Sequence, residues 1–208
     1  MEHTENAAVG CVIMASGRAV RFGSNKLLAD FGSAPLIARA LDAAETPALA
    51  ARVVVTRSPE VAELACKAGV KTILHSLPGR NDTVRLGLEA LLSELPGLAG
   101  CIFLPGDQPL LRKESLEAMA RDFSALDEKE RAILRLGFRA EDGTERLGSP
   151  VLFGSRYFGA LCSLPEGKGG GVVIRRHPES VQAVYAARQE ELEDADTVEE
   201  LERLRKLL

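Results

Sequence analysis

The sequence predicts an α/β fold, a three-layer α/β/α arrangement built on a mostly parallel sheet. Two patterns and one bulk property carry this prediction. Short β-branched runs alternate with stretches of helical periodicity through the first half of the chain, and the runs stop at glycine- or proline-bearing turns. The chain has 208 residues, 46% hydrophobic and 27% charged, ordinary proportions for a globular chain and a length that predicts one domain over residues 1–208. Repeated strand–helix alternation implies parallel pairing, because a crossover helix returns the chain to the same edge in the same direction. A domain of this size buries roughly 70% of the surface its unfolded chain exposes, so it needs no metal or disulfide staples.

The elements follow in order. Residues 8–14 are a β-branched run that predicts a strand buried on both faces. Residues 35–45 place Leu36, Ile37, Ala40, Leu41 and Ala44 at helical spacing. Residues 52–56, with three consecutive valines, predict a strand. Residues 58–68 predict a helix capped by Ser58 with Pro59 at its first position. A short strand is expected over 71–74. A helix is expected over 82–95, with Val84, Leu88, Leu91, Leu92 and Leu95 on one side, and a strand over 101–104, stopped by Pro105. The second half is less regular, with strands expected over 132–136, 151–153 and 181–185. Residues 128–131 are a charge run that fits a solvated helix end. Residues 197–208 predict a closing helix with Leu201, Leu204 and Leu208 on one face, and Thr197 with Glu200 fits a capping box.

Composition narrows the function. Lys and Arg number 26 against 30 Asp and Glu, a net charge of −4, and aromatics are 4% with no Trp. A nucleic-acid partner is therefore not expected, because both phosphate attraction and base stacking lack their residues. No apolar run approaches the ~20 residues of a membrane span, and the N-terminus lacks a basic signal-peptide start, so a cytoplasmic protein without a membrane partner is expected. Cys11, Cys66, Cys101 and Cys162 form no C-x-x-C pair and lie among apolar neighbours, so all four are expected to be small buried hydrophobes. His3, His75 and His177 are scattered, and no Ser–His constellation is expected.

The segment Met14-Ala15-Ser16-Gly17-Arg18-Ala19-Val20-Arg21-Phe22-Gly23-Ser24-Asn25-Lys26 directly follows the first predicted strand, at the end where open parallel sheets bind ligands. Gly17 and Gly23 allow tight turns that present N–H groups to a phosphate, and Arg18, Arg21 and Lys26 add three cations. A glycine turn with surface basic residues accounts for the composition equally well, so the segment alone leaves both readings open. Spacing excludes the P-loop, which needs Lys where Ser24 stands, and the G-x-G-x-x-G fingerprint, which needs Gly where Ala19 stands.

This segment resembles the L-A-A-G-x-S-x-R-M-G-x-x-K loop of the nucleotidyltransferases that attach a nucleoside monophosphate to molybdopterin. Gly17, Arg21, Gly23 and Lys26 match in register, as do Leu27-Leu28 and Pro35-Leu36-Ile37; Met14, Ser16, Ala19 and Phe22 depart from the pattern. Gly106-Asp107-Gln108-Pro109 resembles the family's G-D-[MQ]-P, whose Asp binds Mg²⁺. Asn81-Asp82-Thr83-Val84-Arg85 resembles its serine-rich helix entry beside the nucleotide, although Asn81 and Thr83 could equally cap the helix. Gly148-Ser149-Pro150-Val151-Leu152-Phe153 resembles G-H-P-V-L-F with Ser149 in place of His. Residues 166–171, with Lys168 among glycines, stand where the family has G-D-x-G-A-R. Asp194-Ala195-Asp196-Thr197 resembles D-I-D-T near the C-terminus.

The resemblance implies a Rossmann-like sheet of the nucleotide-diphospho-sugar transferase kind. It implies transfer of CMP from CTP to molybdopterin, the molybdenum cofactor, with release of pyrophosphate and dependence on Mg²⁺ or Mn²⁺. Arg21, Lys26 and Asp107 are the implied catalytic residues. Ala15, Ser16, Gly17, Arg18, Gly23 and Thr83 are the implied nucleotide contacts, with Asp107 and Asp196 on the metal. Asp194 is expected only to precede the last helix. A recipient molybdoenzyme is an implied partner. Guanylyl transfer from GTP, nucleotidyl transfer to a sugar or polyol phosphate, and a non-catalytic cofactor carrier remain the alternatives.

Overall fold

A computed structural model describes residues 7–17, 22 and 25–208. Its strands are β1 (Val9–Ala15), β2 (Ala51–Thr56), β3 (Lys71–Leu74), β4 (Gly100–Pro105), β5 (Ile133–Arg139), β6 (Glu145–Gly154) and β7 (Val181–Tyr185). Its helices are α1 (Leu36–Ala43), α2 (Pro59–Lys67), α3 (Arg80–Glu94), α4 (Lys113–Ser124), α5 (Phe158–Cys162), α6 (Gly171–Arg176) and α7 (Val198–Arg205). The strands form one seven-stranded sheet in the order β3-β2-β1-β4-β6-β5-β7. All neighbours pair in parallel except β6, which runs against both β4 and β5. The mostly parallel α/β architecture read from the sequence is thus the architecture observed.

Alternation along the strands builds two cores. Along β1, Val9, Cys11, Ile13 and Ala15 face one side with α1, α2 and α4, while Val12 faces the other with α3, α5 and α6. Gly87 sets how closely α3 lies on the sheet. A Cβ there would stand 2.4 Å from Val12 Cγ1 and 3.0 Å from Val55 Cγ2, and both valines are fully buried. The order of crossovers makes the functional crevice. From β1 the chain winds outward to β2 and β3, then returns to β4 on the other side of β1, so the loops after β1 and β4 diverge.

Several local expectations are corrected. The helix expected over 82–95 begins at Arg80, so neither Asn81 nor Thr83 caps it; Asp82 instead reaches back to accept from the Gly79 N–H at 3.0 Å. Of its apolar face, Leu92 and Leu95 are only half-buried. Helix α7 ends at Arg205, which leaves Leu208 59% exposed rather than on the apolar face. Cys66 is exposed, off the buried Val61–Ala65 stripe of α2, and Cys162 is half-buried at the edge of the core under α5, while Cys11 and Cys101 are buried as expected. Helix α4 was not anticipated. Its buried Leu116, Met119, Ala120 and Phe123 have helical spacing, but they are embedded among five charged residues. Ser58 does cap α2, and Thr197 with Glu200 forms the capping box of α7. Among the described residues no helix is long and apolar enough to cross a membrane.

The contact at Gly87 predicts a sign. In an exposed helix interior Gly→Ala stabilises by about 1 kcal/mol. Here Gly87→Ala is expected to destabilise by about 1–3 kcal/mol, because stiff buried valines receive the new methyl. Urea unfolding of the variant should show a lower midpoint, partly restored by Val12→Ala; a higher midpoint would refute the close-packing account.

Candidate active site

A cleft of about 380 Å³ opens at the carboxyl ends of β1, β2 and β4. Ser16 and Gly17 enter it from β1, Arg57 from β2, Asp107 from β4, and Pro78, Gly79, Arg80 and Thr83 from the start of α3. Lys26, Ser149, Asp194 and Asp196 complete the lining. Ser149 arrives there because β6 is antiparallel, so the residue two before its Val151–Phe103 pairing sits beside the end of β4. The structure therefore brings Ser16, Gly17, Lys26, Thr83, Asp107 and Asp196 together. Ala15 lies just beneath, its carbonyl accepting from Thr56 Oγ1 at 3.0 Å. Arg18, Arg21 and Gly23 lie outside the described residues.

Lys26 is the centre of the site. It begins a 3-10 turn, Lys26–Leu28, in which the Asn25 side chain accepts from the Leu27 N–H and Leu27 is buried in the core. The lysine stem is thereby fixed and the ammonium projects into the cleft. Nζ lies 2.5 Å from Asp107 Oδ2 and 2.6 Å from Asp196 Oδ1. Burial pulls the lysine pKa down, yet the attraction and hydrogen bonds of the two carboxylates outweigh it and leave the pKa raised.

The expectation for Asp194 is corrected. Ala195 is fully buried and its N–H donates to the Asp107 carbonyl at 2.9 Å, while Asp194 and Asp196 on either side are exposed toward the cleft. Alternation about one buried alanine sends both aspartates the same way. Asp194 keeps solvent-exposed surface, but the cleft walls strip water from its carboxyl and Asp107 and Asp196 repel its charge. Its pKa rises to about 6, with Lys26 and Gln108 opposing the rise. Gln108 is itself 2% exposed and donates to the Ser149 carbonyl at 3.3 Å, and among the described residues its Oε1 has no hydrogen-bond partner.

The strap that carries these aspartates is anchored by a buried glutamate. Glu191, 1% exposed, accepts from Ser115 Oγ at 2.5 Å, from the Arg112 N–H at 3.2 Å and from the Arg188 N–H at 3.3 Å. It joins the strap to the entry of α4.

A Ser–His pair also stands in the site, against expectation. Ser16 Oγ lies 2.8 Å from His75 Nε2 and donates to the Val55 carbonyl at 3.0 Å. The hydroxyl has one proton for these two partners, and when the Val55 carbonyl takes it Nε2 must carry the ring proton to bond Ser16. Nδ1 is buried and has no hydrogen-bond partner among the described residues. Burial lowers the His75 pKa, as do Arg57 and Arg85, against a smaller opposing pull from Asp82. In that arrangement the pair clamps the turn after β1 to β2 and to the residue after β3. Arg57 tightens the clamp by donating to the Ser16 carbonyl. The partners are 59 residues apart in sequence, and no local pattern announces them.

The donor set fits a hard divalent cation. Oxygens of Asp107 and Asp196 converge on one point, and three aspartates surround a single lysine there. Mg²⁺ and Mn²⁺ prefer such oxygens, and Mg²⁺ takes one or two carboxylates with phosphates and water completing its shell. Among the described residues no group of three or more His, Cys, Asp or Glu side chains stands where it could hold a metal ion, so Asp107 and Asp196 are the pair on offer. The start of α3 adds the positive end of a 15-residue helix. Loop 166–171, with Lys168, does not line the cleft, but the Gly167 N–H donates to Asn81 Oδ1 at 2.8 Å and ties the loop to α3.

Comparison with known proteins places this geometry in context. The 3-deoxy-manno-octulosonate cytidylyltransferase of Polynucleobacter asymbioticus is 30% identical over 105 residues, 49% of this chain, and the match spans 41% of that relative's length. Among solved structures, a nucleotidyl transferase from Methanothermobacter thermautotroptrophicus superposes with a TM-score of 0.78 at 20% identity, covering 96% of this chain and 97% of that one. A CMP:2-keto-3-deoxy-manno-octonic acid synthetase complexed with CTP gives 0.74 at 17% identity, over 97% and 98%. The Rv0371c protein of Mycobacterium tuberculosis in complex with manganese gives 0.68 at 20% identity, over 97% and 100%. These likenesses establish the nucleotide-diphospho-sugar transferase fold. The family model described as the MobA-like NTP transferase domain matches residues 11–181, and the chain belongs to that family.

Proposed function

We propose that this protein is a divalent-metal-dependent nucleotidyltransferase that moves CMP from CTP to molybdopterin and releases pyrophosphate. The observation that carries the reading is the convergence of Asp107, Asp196 and Lys26 at the crevice between β1 and β4. The family, the cytidylyltransferase relative and the CTP complex among the fold neighbours support it. Asp107 and Asp196 would hold Mg²⁺ or Mn²⁺, which when bound screens the charge of the triphosphate. The manganese complex of a fold neighbour agrees with that assignment. Lys26 and the start of α3 attract the phosphates, and Arg18, Arg21 and Gly23 are assigned the rest of the triphosphate by resemblance. Ser16 and Gly17 form the wall against the base, held in place by His75 and Arg57, and Thr83 borders the nucleotide.

The reaction needs no general base. A phosphate-ester acceptor has a second pKa near ~6 and is already anionic at neutral pH. Its oxygen forms the new bond to the α-phosphorus, the α–β bridging bond breaks, and the electron pair leaves with pyrophosphate. What the chain must supply is alignment and positive charge, and Lys26 supplies charge that strengthens as the leaving group develops. A second reading, cytidylyl transfer to a sugar acid, is favoured by the named activity of the curated relative. It shares the donor and the metal.

Pyrophosphate release decides between them. With Mg²⁺ and molybdopterin, CTP is expected to give a higher kcat/KM than GTP. An equal or higher value with GTP makes the protein a guanylyl transferase. Release only with 3-deoxy-manno-octulosonate selects the second reading, and no release with any acceptor rejects both. Asp107→Asn is expected to lower kcat by about 100-fold or more at saturating metal while the fold survives, on the scale of losing one electrostatic group at a reacting centre. Full activity in that variant at saturating Mg²⁺ would remove Asp107 from the mechanism.

Asp194 predicts a pH signature in the metal-free protein. Its pKa is raised on folding from 3.8 to about 6, so the native state binds the proton more tightly than the unfolded chain does. Stability is therefore lost as pH rises through that window. Asp194→Asn should stabilise the protein at pH 7.5 and leave stability unchanged below pH ~4. Its solvent exposure screens the repulsion and keeps the gain to about 1 kcal/mol. Urea unfolding in EDTA at both pH values reads the difference, and an equal effect at both would contradict it.

A further inference from the structure

We propose that Lys26 is a resident counter-ion that a divalent cation must displace, and that nucleotide and metal bind cooperatively because the triphosphate takes the ammonium away. The inference rests on the nucleotidyl-transfer reading and concerns how its site is loaded. Nζ stands at 2.5 and 2.6 Å from one oxygen each of Asp107 and Asp196, at the point where those carboxylates converge. A Mg²⁺ ion sits at about 2.1 Å from its oxygen ligands, so the ion and the ammonium cannot share that point. The lysine side chain is 10% exposed, and its two partners offset its burial.

Metal arriving alone must strip the ammonium from both carboxylates and leave it without a partner in a closed part of the cleft. A triphosphate changes that balance. Phosphate oxygens accept the ammonium, whose flexible four-carbon stem lets it swing while Leu27 stays anchored in the core. Asp107 and Asp196 then no longer bond Lys26 at the point where the cation sits. Asp196, with 52% of its side chain exposed against 23% for Asp107, is the partner that can follow the exchange. Linkage makes the effect mutual, so nucleotide raises metal affinity by the factor by which metal raises nucleotide affinity.

The experiment is Mn²⁺ binding to the full chain, read by the free-ion electron paramagnetic resonance signal, with no nucleotide and no acceptor. Lys26→Ala and Lys26→Gln are expected to tighten Mn²⁺ binding about tenfold over the parent, a typical size for coupling between sites. Lys26→Arg, which keeps the charge, should stay within about twofold of the parent. A non-hydrolysable CTP analogue should tighten Mn²⁺ more in the parent than in Lys26→Ala. Mn²⁺ binding in both neutral variants that is no tighter than in the parent overturns the exchange, as does Lys26→Arg behaving like Lys26→Ala. Removing a positive charge could tighten metal binding without displacement, so crystals soaked in Mn²⁺ supply the second readout. The anomalous peak is expected between Asp107 and Asp196, with Nζ withdrawn from at least one of them. Nζ still bridging both, with the ion elsewhere, refutes the proposal. Since nothing turns over, a chain that binds metal this way yet transfers no nucleotide would sink the functional reading and leave the exchange standing.

Discussion

One ammonium between two carboxylates ties the turn after the first strand to the turn after the fourth and to a strap near residue 196. Its Asp196 partner is 170 residues away in sequence. Removing either carboxylate takes a partner from a lysine whose side chain is only 10% exposed, a situation that proteins tolerate only with strong compensation. The arrangement therefore depends on the segments around it being stiff. Ala195 docks the strap on the Asp107 carbonyl, and Glu191 fastens it to the entry of α4. Leu27 pins the lysine turn. The charge cluster is the visible end of these apolar and hydrogen-bonded anchors.

The second constraint is steric. Val12 and Val55, stiff at χ1 and fully buried, leave room only for a glycine on α3, and this brings the start of that helix to the cleft. On the neighbouring strand ends His75 and Arg57 grip the side chain and the carbonyl of Ser16. A neutral imidazole suits that grip, since the nearby guanidinium groups oppose a second ring proton. The cleft wall at Ser16 is thus built from half-buried hydrogen bonds rather than from bulk.

The half of the fold from β1 to β4 was legible in the sequence because parallel strands buried on both faces are continuous apolar runs, as in Val53-Val54-Val55. The second half was less so. Strand β6 extends from Val151-Leu152-Phe153 back into exposed Glu145-Arg146, where neither continuous apolarity nor alternation marks it. In the site, Lys26 and Asp107 were legible because each follows a strand with its own local pattern. Asp194 was not, since its direction depends on Ala195 docking on a backbone carbonyl remote in sequence. His75 escaped for the same reason: an isolated histidine shows its partner only once β1 and β3 are both laid against β2.

The reversed direction of β6 divides the cleft into two inheritances. The walls from β1, β2 and β4 belong to crossovers whose geometry the sheet order dictates, and any change of length there would shift strand pairing. Ser149 and its neighbours instead descend from the β5–β6 hairpin, whose tip, residues 140–143, lies clear of the core. Insertions at such a tip leave the parallel ladder untouched. One side of the crevice is consequently free to change in length and chemistry while the walls from β1, β2 and β4 stay as they are, which makes this strand the natural place for descendants of one ancestor to part ways.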